Sequence, residues 1–230
     1  MNHEKRVVGE KAADLIQDKM IVGLGTGSTV HYTIKKIGEK VQRNELDINC
    51  VPTSNASAEF ARSLGIKLSS LNDVPQVDIT IDGADEIDDH FRAIKGGGGA
   101  LLFEKIVASN SEKVVIIIDS TKYVDKIGKF SLPIEVIPFG YQYVFETLKR
   151  EGFQPKLRKI DHVPFTTDSG NYIFDMNISH MIDKMDTEHL EQFINNIPGV
   201  VENGLFLNLI DVIYIGKNGG IEMKTKNVDR

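Results

Sequence analysis

An α/β fold, a Rossmann-like and mostly parallel sheet flanked by helices, is predicted from three observations. Short apolar runs at residues 20–24, 77–81 and 114–118 alternate with stretches whose apolar residues recur at helical spacing. Residues 114–118, Val-Val-Ile-Ile-Ile, form an unbroken β-branched run of the kind that suits a parallel strand covered on both faces. The order, one helix followed by repeated strand and helix, is that of a single parallel sheet. With 230 residues, 41% of them apolar and 26% charged, the chain can bury a large core, which sets disordered and fibrous classes aside.

The elements follow in order. Residues 3–19 carry a helical stripe of Val7, Val8, Ala12, Leu15 and Ile16, and residues 20–24 read as a strand that ends in a glycine turn before a second helix. Residues 46–51 read as a strand closed by Pro52, residues 55–64 as a helix capped by Ser54 or Asn55, and residues 66–68 as a short strand. Residues 77–81 alternate as a strand, and residues 100–108 are a helix after four glycines. Beyond Lys122 the rhythm changes. A strand at 132–136, a helix at 141–150, a strand at 156–158, a hairpin of 163–166 with 172–176 across Asp168-Ser169-Gly170-Asn171, and a helix at 187–195 predict a small inserted α+β domain of ferredoxin-like type. The expected division is residues 1–129 with 203–230 for the α/β domain and 130–202 for the small one. Short strands at 205–209, 212–215 and 221–223 are expected to return to the first domain.

Several function classes are excluded. The 33 acidic residues against 27 basic ones give a formal charge of −6 without a basic patch, which argues against nucleic-acid and anionic-membrane partners. No apolar run is long enough to span a bilayer. One cysteine, Cys50, and an opening without a secretory pattern predict a cytoplasmic protein. Cys50 reads as a core residue, and Tyr141 and Tyr143 as packing or interface residues. The six histidines are scattered without metal-ligand spacing, so no metal site is expected.

Ligands of parallel sheets sit at the carboxyl ends of strands, and three such ends carry unusual residues. The first, Gly23-Leu24-Gly25-Thr26-Gly27-Ser28-Thr29, offers backbone N–H groups, hydroxyls and a helix amino terminus to a phosphate. It departs from the dinucleotide fingerprint and from the P-loop, and a plain turn with a serine cap remains open as an alternative. The second end carries Asp82 and Asp85, followed by Lys95; two carboxylates and an ammonium can orient sugar hydroxyls and shuttle protons. Glu86, Asp88 and Asp89 read as surface charges. Lys95 with Gly96 to Gly99 can fold into an anion-binding nest. The helix after it takes its apolar face from Leu102, Phe103, Ile106 and Val107, which leaves Glu104 exposed by periodicity yet in the first turn after the glycines. The third end is Asp119-Ser120-Thr121-Lys122.

These segments resemble ribose-5-phosphate isomerases of the A type. The resemblance rests on the glycine loop above, Asp82-Gly83-Ala84-Asp85-Glu86-Ile87, Lys95-Gly96-Gly97-Gly98 leading to Glu104-Lys105, and Leu132-Pro133-Ile134-Glu135-Val136-Ile137-Pro138. It continues through Ile197-Pro198-Gly199-Val200-Val201 and Gly204-Leu205-Phe206, nearly the whole chain. It implies interconversion of D-ribose 5-phosphate and D-ribulose 5-phosphate in the non-oxidative pentose phosphate pathway, without metal or organic cofactor, by a homodimer or homotetramer. Carried over by motif, Glu104 is the general base, Asp82 and Asp85 bind sugar oxygens, and Lys95 stabilises the enediolate. Thr26, Gly27, Ser28, Thr29, Gly83, Ala84, Gly96, Gly97, Gly98 and Lys122 surround the substrate, with Lys5 a further phosphate contact. Gly99, where some members have alanine, and Ser120-Thr121, where Ala-Ser is frequent, depart from the pattern without removing a catalytic group. The alternatives are a sugar-phosphate sensor domain, an amino-sugar phosphate deaminase or a coenzyme A transferase on a related scaffold.

Overall fold

A computed structural model describes residues 2–182 and 186–226. In chain order the elements begin with α1 (Asn2–Ala12), β1 (Ile21–Leu24), α2 (Val30–Gln42), β2 (Asn49–Pro52), α3 (Asn55–Ser63), β3 (Lys67–Leu68) and β4 (Ile79–Asp82). There follow β5 (Glu86–Ile87), β6 (Ala93–Ile94), α4 (Leu101–Ser109), β7 (Val114–Asp119), β8 (Leu132–Val136), α5 (Tyr141–Arg150) and β9 (Pro155–Leu157). The remainder are β10 (Lys159–Ile160), β11 (Val163–Pro164), β12 (Tyr172–Met176), α6 (Thr187–Asn195), β13 (Val200–Asn203), β14 (Leu205–Phe206), β15 (Val212–Lys217) and β16 (Gly220–Thr225).

The chain divides into two compact units. The first takes the residues up to Ala84, Phe103–Tyr123 and those from Asn208. Its seven strands run in the order β16-β15-β7-β4-β1-β2-β3, and every neighbouring pair is parallel except β15 with β16. Period-two alternation sorts the side chains. Val22, Leu24, Ile79, Ile81, Val115 and Ile117 join Val8, Ile34 and Ile37 of the helices in one core, while Ile21 and Val51 pack with Val107 in another. The mostly parallel sheet with flanking helices is the architecture expected. Ser54 caps α3 as expected, its hydroxyl accepting the Ser57 N–H. Cys50 is fully buried, and that burial pushes its thiol up to about 12.

The second unit comprises Asp85–Leu102 and Val124–Leu207. Strand, helix, two strands, helix and strand (β8, α5, β9, β12, α6, β13) build an antiparallel sheet of order β13-β8-β12-β9, the ferredoxin-like arrangement. Ile134, Phe174, Val144, Leu148, Leu190 and Ile194 fill the core between sheet and helices. A separate small sheet, β14-β6-β5, carries the acidic turn and the lysine that precedes the glycines.

Several expectations differ from what is observed. Residues 163–166 do not pair with β12; β12 runs between β8 and β9, and Val163–Pro164 pairs with Lys159–Ile160. The turn at Asp168 to Asn171 forms locally, with Thr167 accepting from Gly170, but long-range pairing decides what β12 joins. Strand β14 pairs in the second unit rather than returning to the first, whereas β15 and β16 do return. Residues 85–102 and 124–129 group with the second unit. Glu86 and Asp88 are buried, not surface charges. The Glu86 carboxylate accepts the Gly128 and Phe130 N–H groups at 2.7 Å each, and Asp88 accepts from the backbone of His90 and Arg92 and pairs with the Arg92 guanidinium at 2.6 Å. Only Asp89 of the three is exposed.

Glu135 on β8 is buried as well. One carboxylate oxygen accepts from the Thr167 hydroxyl at 2.8 Å and the Asn171 amide at 2.9 Å; the other, Oε2, has no hydrogen-bond partner among the described residues. Burial raises its pKa, the two hydrogen bonds oppose the shift, and the Glu202 and Asp168 charges add to it. A carboxyl held above its unfolded value binds its proton more tightly when folded. Its contribution is therefore complete at pH values below the unfolded pKa of about 4.3, and is lost as pH rises through the raised folded value. Glu135→Gln keeps an acceptor for both donors and is expected to raise the thermal midpoint by a few degrees at pH 7, with the gain shrinking towards pH 4. Thermal melts across that range check this; a gain that does not depend on pH would refute it.

Candidate active site

From β1 the first sheet grows outward to β2 and β3, and the chain then returns to the other side of β1 as β4. Strand order reverses between β1 and β4, and the crevice at their carboxyl ends is where an α/β sheet binds ligands. The glycine loop follows β1 there, and Asp82 closes β4. Asp82 is 2% exposed, and its Oδ1 accepts the N–H of Thr26 at 3.1 Å and of Gly83 at 2.7 Å. The Gly25 amide bonds to the Ile81 carbonyl at 3.0 Å, which brings loop and carboxylate together. A Cβ on Gly25 would lie 2.2 Å from Asp82 Oδ1 and 2.6 Å from its Cα, so no side chain is tolerated at this crossing.

The loop is tied down on two sides. The Thr26 hydroxyl lies 2.8 Å from those of both Thr53 and Ser54, while Ser57 donates to the Gly25 carbonyl at 2.7 Å. The end of β2 thus supplies a hydroxyl cluster where an acid was sought. On the other side α1 delivers Lys5, whose ammonium donates to Ser28 Oγ at 3.0 Å and lies 3.8 Å from the buried Asp119 carboxylate. Glu4, buried beside it, accepts from the Ser120 hydroxyl at 3.0 Å, so α1 is fastened to the turn Ser120–Lys122 that follows β7. Thr29, the cap residue before α2, makes no side-chain capping bond, so a side-chain cap does not account for this turn. These bonds join Lys5 to Ser28 and join Thr26 and Gly83 to Asp82; Gly27 lies between Thr26 and Ser28, Thr29 follows Ser28, Ala84 follows Gly83, and Lys122 closes the turn tied to Glu4.

The second unit holds Asp85, Lys95 and the glycines Gly96 to Gly98. Asp85 accepts the Gly97 N–H on Oδ2 at 2.8 Å, and a Cβ on Gly97 would stand 2.6 Å from the same carboxylate. Lys95 is 2% exposed, its backbone N–H bonded to the Gly204 carbonyl at 2.9 Å and its ammonium 5.3 Å from the centre of the Phe206 ring. Gly96 and Gly99 are buried, while Gly97 and Gly98 between them are exposed, and the Gly99 N–H closes a turn on the Gly96 carbonyl at 3.0 Å. This is a fixed turn, not a flexible linker.

Helix α4 differs from expectation. Its buried stripe is Leu101, Glu104, Lys105 and Ala108, at spacing i, i+3, i+4 and i+7, whereas Phe103 and Ile106 are 37% and 45% exposed. Glu104 is 4% exposed. Val107 is buried as expected, but periodicity of apolar residues misplaced the rest of this face because two of the five buried positions are charged.

Comparison with known proteins decides the family. The model of the ribose 5-phosphate isomerase A (phosphoriboisomerase A) family matches residues 49–220. The chain belongs to this family. Ribose-5-phosphate isomerase A of Listeria monocytogenes serotype 4b (strain F2365) is 50% identical over 228 residues, covering 98% of this chain and 100% of that protein. The ribose 5-phosphate isomerase structure from Plasmodium falciparum superposes with a TM-score of 0.94 at 39% identity, covering 99% of this chain and 100% of that one. A D-ribose-5-phosphate isomerase structure in complex with phospho-erythronic acid superposes at 0.91 with 35% identity, covering 97% and 98%. Thr53, Ser54, Ser57 and Glu4, which tie down the glycine loop and α1, carried no functional signal in the sequence beyond a cap at Ser54, whereas Asp119 is part of the third strand end singled out there. Among the described residues no group of three His, Cys, Asp or Glu side chains is placed to hold a metal ion.

The clash at Gly25 includes backbone and cannot be relieved by rotating a side chain. Gly25→Ala is expected to cost about 1–3 kcal/mol of stability in urea denaturation, as overpacking does. At Gly219 a Cβ would meet nothing within 4 Å, so Gly219→Ala serves as the silent control. Equal effects of the two substitutions would contradict the crossing described.

Proposed function

We propose that the chain interconverts D-ribose 5-phosphate and D-ribulose 5-phosphate through an enediolate. The observation that carries this is family membership over nearly the full length, joined to the presence of every residue that the family resemblance assigns to the chemistry. The related structure holding phospho-erythronic acid, a phosphorylated sugar acid, supports a sugar-phosphate ligand. Neither the sensor nor the deaminase alternative is favoured by that match.

An aldose to ketose shift needs one base, a proton path between O1 and O2, and positive charge where oxyanion character develops. In the proposed roles Glu104 removes the proton from C2. The C2–H pair becomes the C1=C2 bond, and the carbonyl pair of C1 moves onto O1, where Lys95 offsets the charge. Glu104 then returns its proton to C1 as O2 loses its own and the C2 carbonyl forms. Asp82 and Asp85 hold the sugar oxygens and relay protons between them. The hydroxyls and amides of Thr26, Gly27, Ser28 and Thr29, with Lys5 and Lys122, receive the phosphate, and Gly83, Ala84, Gly96, Gly97 and Gly98 line the sugar. The tie between Lys5 and Ser28 supports placing both at the phosphate.

The same reading extends to the non-oxidative pentose phosphate pathway, a cytoplasmic setting and a homodimer or homotetramer, with the second unit as lid or assembly surface. The acidic balance and the single buried cysteine support the setting. No helix among the described residues is long and apolar enough to cross a membrane.

A direct assay of ribose 5-phosphate isomerisation, run with EDTA present, tests the assignment. The parent is expected to be active and insensitive to EDTA, and Glu104→Gln to lose about 10²- to 10⁴-fold in kcat, the usual worth of a general base. An inactive parent, or a variant with full kcat, would overturn it.

A further inference from the structure

Arg158 follows β9 in the second unit and touches none of the residues with an assigned role through its neighbours in sequence. Its side chain nevertheless reaches the glycine tract. Nη1 donates to the Gly96 carbonyl at 2.9 Å and to the Gly97 carbonyl at 3.2 Å, while Nε and Nη2 grip the two oxygens of Asp175 at 2.9 and 2.5 Å. The guanidinium also lies 5.7 Å from the centre of the Phe165 ring, and that ring meets the tract again at Gly99, where a Cβ would come within 2.5 Å of it. Asp175 fixes the fork, Phe165 supports its plane, and the remaining donors hold two consecutive peptide oxygens.

Peptide planarity turns this into a statement about the opposite side of the tract. In a trans peptide the C=O and the following N–H point in opposite directions. No cis peptide occurs among the described residues. The unit formed by the Gly96 carbonyl and the Gly97 N–H is therefore pinned at both ends, its oxygen on Arg158 and its nitrogen on Asp85. The next unit, with its Gly97 oxygen on Arg158, must direct the Gly98 N–H away from the guanidinium.

We propose that Arg158, held by Asp175, is a positioning residue for the isomerisation: it sets the two peptide planes that supply Asp85 with the Gly97 N–H and present the Gly98 N–H to the sugar oxygens. Glycines lack side chains to fix their orientation and lose more conformational freedom on ordering than other residues, so a tract of four needs an external brace. A donor turned away from a developing oxyanion contributes nothing to its stabilisation, whereas one already aligned contributes without reorganisation. The role in catalysis rests on the isomerase reading; the brace itself does not.

Two measurements on the full chain separate the two. Arg158→Met is expected to lower kcat for ribose 5-phosphate about 10- to 100-fold, as loss of alignment does, at temperatures where it remains folded. KM should change by less than about threefold, since the loss falls on the transition state. Methylguanidinium, but not ammonium at equal ionic strength, should restore part of the kcat of Arg158→Gly. Without substrate, amide hydrogen exchange at Gly97 and Gly99, whose N–H groups are bonded to Asp85 and to the Gly96 carbonyl, should quicken at least about tenfold in Arg158→Met, as it does when a local hydrogen-bonded unit opens. Should that variant not fold, Asp175→Asn carries the same test, with a severalfold loss of kcat and faster exchange. A folded variant with kcat within about twofold of the parent refutes the catalytic role, since catalytic alignment is worth more. Unchanged exchange refutes the brace. A parent without isomerase activity overturns the assigned reaction, while the exchange measurement still decides whether Arg158 orders the tract.

Discussion

The first unit depends on one buried carboxylate. Asp82 ends a strand in the middle of a sheet, where water cannot reach it, and burying a charge is costly unless hydrogen bonds replace the solvent. Two backbone N–H groups do so on a single oxygen, and bonds to charged acceptors are worth about 1.5–3 kcal/mol each. One of these donors, Thr26, sits on the loop after β1. That loop can descend on Asp82 only if β1 and β4 are neighbours with reversed strand order between them, and only if the residue at the crossing has no side chain. Sheet order, the glycine at position 25 and the acidic group thus form one constraint, and removing any of the three leaves the others without a purpose.

What the sequence revealed was set by the range of the interactions involved. The run Val114 to Ile118 was readable because both of its faces are buried, so composition alone identifies it. Strand 132–136 and helices 141–150 and 187–195 lie where the pattern placed them, because each alternates or repeats against one core. The motif residues were readable from the family resemblance and from their position at strand ends. Glu86 and Asp88 were misread because a carboxylate near other carboxylates looks solvated; the amides that satisfy Glu86 lie 42 and 44 residues away. Arg158 gave no signal for the same reason, its carbonyl partners being 62 and 61 residues distant. In α4 the failure was one of scale, since a hydropathy pattern cannot recognise a buried stripe with Glu104 and Lys105 at its centre.

The second unit is organised by different means. Lys95 and the glycines are held by Gly204, Phe206 and Arg158, all contributed by residues much later in the chain. The tract has almost no local stability of its own, and its geometry is borrowed from the ferredoxin-like sheet through Asp175 on β12 and from the small sheet through β14. A conformationally permissive segment is thereby made rigid without giving up the close approach that only glycine permits.

The position of β15 bears on how the molecule is made. It lies between β7 and β16 in the large sheet, yet it is translated only after the greater part of the second unit, Val124–Leu207, has followed β7. Until Val212–Lys217 leaves the ribosome, β7, the most apolar strand of the sheet, has no partner on one edge. The second unit can close on itself before then, because its last strand precedes β15, except that its own first segment, Asp85–Leu102, must be drawn in across one stretch of the other unit, Phe103–Tyr123. Pairing over such distances in sequence is slow to form and exposes an adhesive strand edge meanwhile. The nascent chain therefore passes through a stage in which its best core strand is open to chaperones and to aggregation, and that stage ends with the arrival of a single six-residue segment.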